Sequence, residues 1–181
     1  GDGSVFVVLG EKWVANVRPL QAAVLGDSYS SGEGAVRRRA DYLLGTDLGE
    51  QNRCHRAPAA YGVLMKPPTS QVSYQLLQAT VGTGFTWAFI ACSGARTYNV
   101  LSTGIPTYPA EEEQLDQGLV NADTDLVTIT IGGNDALFVN VVNHCATNLF
   151  PSDNCLDDIV PGGTETWGDY VRNRIETHVK T

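Results

Sequence analysis

The chain has 181 residues, with 12 basic and 20 acidic side chains and a formal net charge of −8. Apolar residues make up 43% and charged ones 18%, the balance of one globular domain and not of a disordered chain. The acidic excess excludes a general nucleic-acid or anionic-membrane surface, which wants clustered Lys and Arg. No segment approaches the ~18 consecutive apolar residues of a membrane span.

Residues 1–20 read as an N-terminal extension or edge element. Val5-Phe6-Val7-Val8-Leu9 suits an edge strand, and residues 12–17 suit a short helix or a second strand. That first run is too short for a signal-peptide core and no basic region precedes it, which decides nothing about compartment. Pro19 breaks the pattern. From there to Thr181 the sequence reads as one domain. Ala22-Ala23-Val24-Leu25 predicts a buried strand, followed directly by Gly26-Asp27-Ser28-Tyr29-Ser30-Ser31-Gly32. Residues 32–57 are rich in Gly, Arg and polar groups and read as a long surface loop, with Arg37-Arg38-Arg39 a solvated run.

Residues 58–65 and 70–79 predict two helical pieces separated by Pro67-Pro68, the second with an apolar face of Tyr74, Leu76, Leu77 and Ala79. Gly82-Thr83-Gly84 turns the chain into a second strand, Phe85-Thr86-Trp87-Ala88-Phe89-Ile90, which runs into Ala91-Cys92-Ser93-Gly94-Ala95. Residues 97–124 cross over. Within them, Pro109 followed by Ala110-Glu111-Glu112-Glu113 has the form of a helix start, with acids complementing the macrodipole and not holding a metal. Leu126-Val127-Thr128-Ile129-Thr130 predicts a third buried strand, followed by Ile131-Gly132-Gly133-Asn134-Asp135. Residues 136–150 continue as helix or loop. A last helix starts near Thr166, with Trp167, Tyr170, Val171, Ile175 and Val179 on one stripe. Strands alternating with helices predict an α/β fold with a parallel sheet. The strands are few for a doubly wound domain, and the expectation is a sheet incomplete at the carboxyl end.

Ligands of open α/β sheets collect beyond the carboxyl ends of the strands. Each of the three motifs follows its own strand there. Taken singly, each is an ordinary turn or cap. Together they supply a serine hydroxyl and donors for an oxyanion: the N–H of Ser28, the N–H of Gly94 and the amide of Asn134. The four cysteines, Cys54, Cys92, Cys145 and Cys155, form no Cys-x-x-Cys pair and lack the histidine spacing of a zinc site. Their even number suggests two disulfides and an oxidising compartment, with three pairings open.

These motifs resemble those of the SGNH (also called GDSL) hydrolases, a family of serine esterases and lipases. The stretches 26–34, Asn52-Arg53-Cys54-His55-Arg56, 91–96 and 128–135 are similar to its secreted, disulfide-bonded actinobacterial-type members. The resemblance covers about residues 21–155. It implies a three-layer α/β/α, flavodoxin-like fold and an esterase working without metal or cofactor. Ser28 would be the nucleophile, with Gly94 and Asn134 as oxyanion donors. It also implies sequential pairing, Cys54 with Cys92 and Cys145 with Cys155, and secretion. The implied substrates are small-molecule, lipid or glycan esters.

The family's Asp-x-x-His, source of the general base, does not occur in this chain. His55 reads as a surface or rim residue, His144 as structural or exposed, and His178 as a solvated helix end. The expectation is therefore an amino-terminal part of the fold whose base comes from a second segment or chain. The alternative is a non-catalytic module of the same fold that binds an acyl or glycan ligand.

Overall fold

The computed structural model describes residues 5–9, 12–17, 20–67, 71–76, 85–101, 106–147 and 154–178, with the backbone alone for the first two stretches and for His178. Strand β1 (Val5–Leu9) pairs antiparallel with β2 (Lys12–Val17), so the second segment is a strand and not a helix. These two form a sheet of their own.

The main sheet is parallel. Strand β3 (Leu20–Gly26) lies between β4 (Phe85–Phe89) and β5 (Leu126–Thr130). Residues 22–25 are almost fully buried, because β3 has a strand on each side and cover on both faces. Successive side chains point to opposite faces. Ala23 and Leu25 pack with Ala88, Ile90 and Val100. Val24 faces the other way, onto α2 (Tyr61–Leu64), where only a glycine fits: a Cβ on Gly62 would lie 2.6 Å from the Val24 methyls. On that face Trp87 Nε1 also donates to the Gly62 carbonyl. Val100 belongs to α3 (Thr97–Val100), which covers the first face. The α/β class expected from the sequence is present.

Strand β5 departs from the buried strand expected. Val127 and Ile129 are 44% and 46% exposed, since among the described residues β5 has a neighbour on one side only. The open edge agrees with the expectation of an incomplete sheet.

The helices are shorter than predicted. The 58–65 segment gives only α2, and of 70–79 residues 74–76 are helical, Leu77 and Ala79 lying outside the described residues. The helix predicted from Pro109 does not form, and residues 109–118 run through turns. Tertiary partners claim its side chains instead. Glu111 is bound by Arg56 and Asn52. Gln114 is buried against the end of β3, and Gly118 takes a left-handed φ of 67°. Further on, α4 (Phe138–Thr147) and α5 (Trp167–His178) do form. The inward face of α5 is Trp167, Tyr170, Val171 and Arg174, while Ile175 turns outward. Arg174 replaces it by donating to the Asp135 carbonyl. Val179 lies outside the described residues.

Candidate active site

The chain leaves β3 at a point where only glycine is possible. Gly26 has φ 119°, and a Cβ there would come within 2.1 Å of the Thr130 carbonyl oxygen. Its N–H donates to Gln114 Oε1 at 2.7 Å, and its carbonyl accepts from Gln114 Nε2 at 2.8 Å and from the Cys92 N–H at 2.9 Å. Asp27 follows. Its N–H donates to the Thr130 carbonyl, and its carboxylate accepts from the Tyr29 N–H at 3.1 Å and the Thr130 hydroxyl at 3.0 Å. Asp27 is therefore the cap of the helical turn α1 (Ser28–Ser31), and its Oδ1 fixes that turn to β5.

Three serines follow, in different surroundings. Ser30 and Ser31 are fully buried. Ser30 Oγ bonds Tyr61 Oη and Thr130 Oγ1 and accepts the Thr130 N–H, while Ser31 Oγ donates to the Ser28 carbonyl. Ser28 is half-buried, and its hydroxyl has no hydrogen-bond partner among the described residues. Of the three, only Ser28 offers a hydroxyl to an incoming ligand.

The second turn follows β4. Ser93 N–H donates to the Cys54 carbonyl and Ala95 N–H to the Cys92 carbonyl, on either side of Gly94. Gly94 has φ 86°, and a Cβ there would lie 3.2 Å from Tyr108 Oη. The N–H groups of Ser28 and Gly94 themselves donate to no acceptor among the described residues.

The third turn is stapled to the second. Asn134 Nδ2 donates to the Ala95 carbonyl at 2.8 Å. Buried Asp135 accepts from the Thr97 N–H and hydroxyl at 3.0 and 2.9 Å. Gly133 lies against the Asp27 carboxylate. Crossovers from β3 to one neighbour and back across to the other put a crevice at the ends of β3 and β5, the usual ligand site of such sheets. The turns carrying Ser28, Gly94 and Asn134 all lie at that edge.

Two disulfides are present, Cys54–Cys92 and Cys145–Cys155, as the resemblance implied. The first ties the 42–57 loop to the Gly94 turn. Among the described residues no cluster of His, Cys, Asp and Glu could hold a metal.

The histidines differ from expectation at one position. His55 is not a rim residue: its side chain is 13% exposed and stacks on Tyr42 at 4.6 Å. Its Nδ1 meets Glu33 at 2.7 Å and its Nε2 meets Asp47 at 3.2 Å. With both ring nitrogens engaged it cannot take a proton from Ser28. His144 is structural, bonded to Asp158 at 2.8 Å and packed on Trp167. The side chain of His178 lies outside the described residues.

Asp47 is held down to about 2 by its hydrogen bonds from Arg39, with His55 adding to the effect. A carboxyl lowered on folding stabilises above its ordinary value of 3.8 and ceases to do so as pH falls towards 2. Amide protection across residues 39–56, measured as exchange corrected for its intrinsic pH dependence, is therefore expected to fall on acidification from pH 4 to pH 2. Asp47→Asn should raise exchange at pH 5 and flatten that dependence. An unchanged pH profile in the variant would remove Asp47 from the account.

The sequence offered no signal for the half-buried Arg56–Glu111 pair or for buried Gln114, since a polar side chain in a loop carries no mark of its distant partner.

The described residues thus form an open parallel α/β sheet with a solvent-reachable serine and two polar turns at one edge. No protein-family model matches the chain. It is 39% identical over 140 residues to the lipase of Streptomyces rimosus, covering 77% of this chain and 39% of that protein. It is 33% identical over 135 residues to lipase 1 of Streptomyces coelicolor, covering 75% and 37%. The crystal structure of the extracellular lipase from Streptomyces rimosus superposes with a TM-score of 0.54 at 34% identity, covering 87% of this chain and 48% of that one. The chain thus spans less than half the length of these relatives. Over that part it is similar in sequence and in fold to Streptomyces lipases.

Proposed function

We propose that this chain carries the nucleophile and oxyanion-binding part of a secreted serine hydrolase that cleaves carboxylic esters, lipid esters in particular. The observation that carries the reading is Ser28: on a turn fixed by Gly26, Asp27 and Thr130, its hydroxyl and its own N–H have no hydrogen-bond partner among the described residues. Ser28 Oγ attacks the ester carbonyl. The tetrahedral oxyanion accepts from the N–H of Ser28, the N–H of Gly94 and the amide of Asn134. That amide has two hydrogens. One is spent on the Ala95 carbonyl, which fixes the direction of the other. Such pre-aimed donors stabilise the charge as it develops.

The proton acceptor in this reading is a histidine outside the described side chains, supplied by another segment or chain, because both ring nitrogens of His55 meet carboxylates and His144 is turned onto Asp158 and Trp167. The two disulfides and the extracellular relative support secretion. Fluorophosphonate labelling of the full-length protein is the test. One adduct at Ser28 is expected, and a folded, full-length protein without it would leave only a binding module of this fold.

A further inference from the structure

The site contains a polar group that the reading above does not use. Tyr108 lies on the crossover to β5, and its hydroxyl covers the Cα of Gly94 on the side where any other residue would carry its Cβ. The ring is anchored. It packs on the buried cluster of Cys54, Cys92 and Ala95, beneath the Gly94 turn. Its backbone is anchored as well: the Tyr108 carbonyl accepts from the Glu111 N–H, and the Glu111 carboxylate is locked by Arg56. The chain therefore holds this phenol in one place.

Its hydroxyl makes no hydrogen bond among the described residues and is not sealed from solvent. Burial, and next the nearby Glu33 charge, push the phenol above its ordinary range, so it stays protonated and keeps a hydrogen to give. A neutral donor beside the glycine whose N–H is also free is placed for an acceptor arriving between them.

We propose that Tyr108 is a substrate-contacting residue: its hydroxyl donates to the ester group held at Gly94 and joins the backbone N–H in stabilising the oxyanion. This rests on the ester-hydrolase reading. It adds to it a donor from the 106–118 crossover, a segment outside all three motifs. The phenol transfers no proton. It donates one hydrogen bond that strengthens as the carbonyl oxygen gains charge, and the proton stays on Tyr108 throughout.

The experiment compares full-length wild-type protein with Tyr108→Phe, using p-nitrophenyl acetate and butyrate for turnover and a fluorophosphonate for labelling. Phenylalanine keeps the ring on the disulfide and removes only the donor. The expected result is a kcat about five- to tenfold lower on both esters, the worth of one hydrogen bond made in the transition state. KM should change less than twofold, the labelling rate should fall in parallel, and Tm should hold. A ring that serves only packing would leave kcat and labelling untouched in Tyr108→Phe, and that result overturns the proposal. A loss confined to KM would also overturn it, since it would mean uniform binding without preference for the transition state. If wild type itself neither labels at Ser28 nor hydrolyses either ester, the ester-hydrolase reading has failed and the role of Tyr108 falls with it. A labelled wild type with an unaffected variant fails this inference alone.

Discussion

Ser28→Ala in the full-length protein is expected to lower kcat on p-nitrophenyl butyrate by about 10⁴-fold or more, while changing the unfolding free energy by no more than about 0.5 kcal/mol. The asymmetry follows from the surroundings of the hydroxyl. Ser28 Oγ has no partner among the described residues, so truncation breaks no contact described in the fold. Ser30 is the control. Its Oγ is fully buried among Tyr61, Thr130 Oγ1 and the Thr130 N–H. Ser30→Ala strands these groups, and each buried group left unpaired costs about 1–3 kcal/mol. It is expected to lose about 2 kcal/mol or more of stability and to retain turnover per folded molecule. Urea titration and kcat on the same samples separate the two effects. If Ser30→Ala abolishes turnover at full folding and Ser28→Ala does not, the nucleophile has been assigned to the wrong serine.

That contrast marks what could be read from the sequence. The motif Gly26-Asp27-Ser28-Tyr29-Ser30-Ser31 names a nucleophile only by resemblance. The spacing does not say which hydroxyl is open, because that depends on Thr130 and Tyr61, distant in the chain and close in space. The three strands were legible since apolar runs end in glycine turns, and glycine at φ 119° beside Thr130 has a steric cause. The helix from Pro109 failed for the opposite reason. Its proline and acids give a local preference worth a few tenths of a kcal/mol per residue. Against that stood a half-buried ion pair at Glu111 and the two hydrogen bonds of Gln114 to Gly26. Tertiary partners outweighed propensity, and a sequence read locally contains no record of them. His55 was misplaced in the same way: a loop position suggested solvent, while Glu33, Asp47 and Tyr42 close around it.

Arg56→Met is expected to cost about 1–3 kcal/mol, the penalty of leaving half-buried polar groups without their donor. Arg56 and Glu111 are each 11% exposed in their side chains and meet at 2.8 Å. The guanidinium also donates to the carbonyls of Ala91 at 2.8 Å and Ile90 at 3.2 Å, where the chain leaves β4 and runs towards the Gly94 turn. Methionine fills much of the arginine stem but leaves both carbonyls and the Glu111 carboxylate short of donors. Among the described residues Asn52 and Gln117 then remain to the carboxylate. The cost is the stranded charge and not the intrinsic value of the pair. Arg56→Met combined with Glu111→Met is therefore expected to recover a good part of the loss, as apolar replacement of a buried pair often does. Urea midpoints of the two single variants and the double variant measure this coupling. If the single variants each cost under 1 kcal/mol and simply add, water screens the pair and it does not hold the crossover. If the double variant recovers stability but loses turnover, the pair's contribution lies in positioning the 106–118 crossover over Gly94, where the Tyr108 hydroxyl sits.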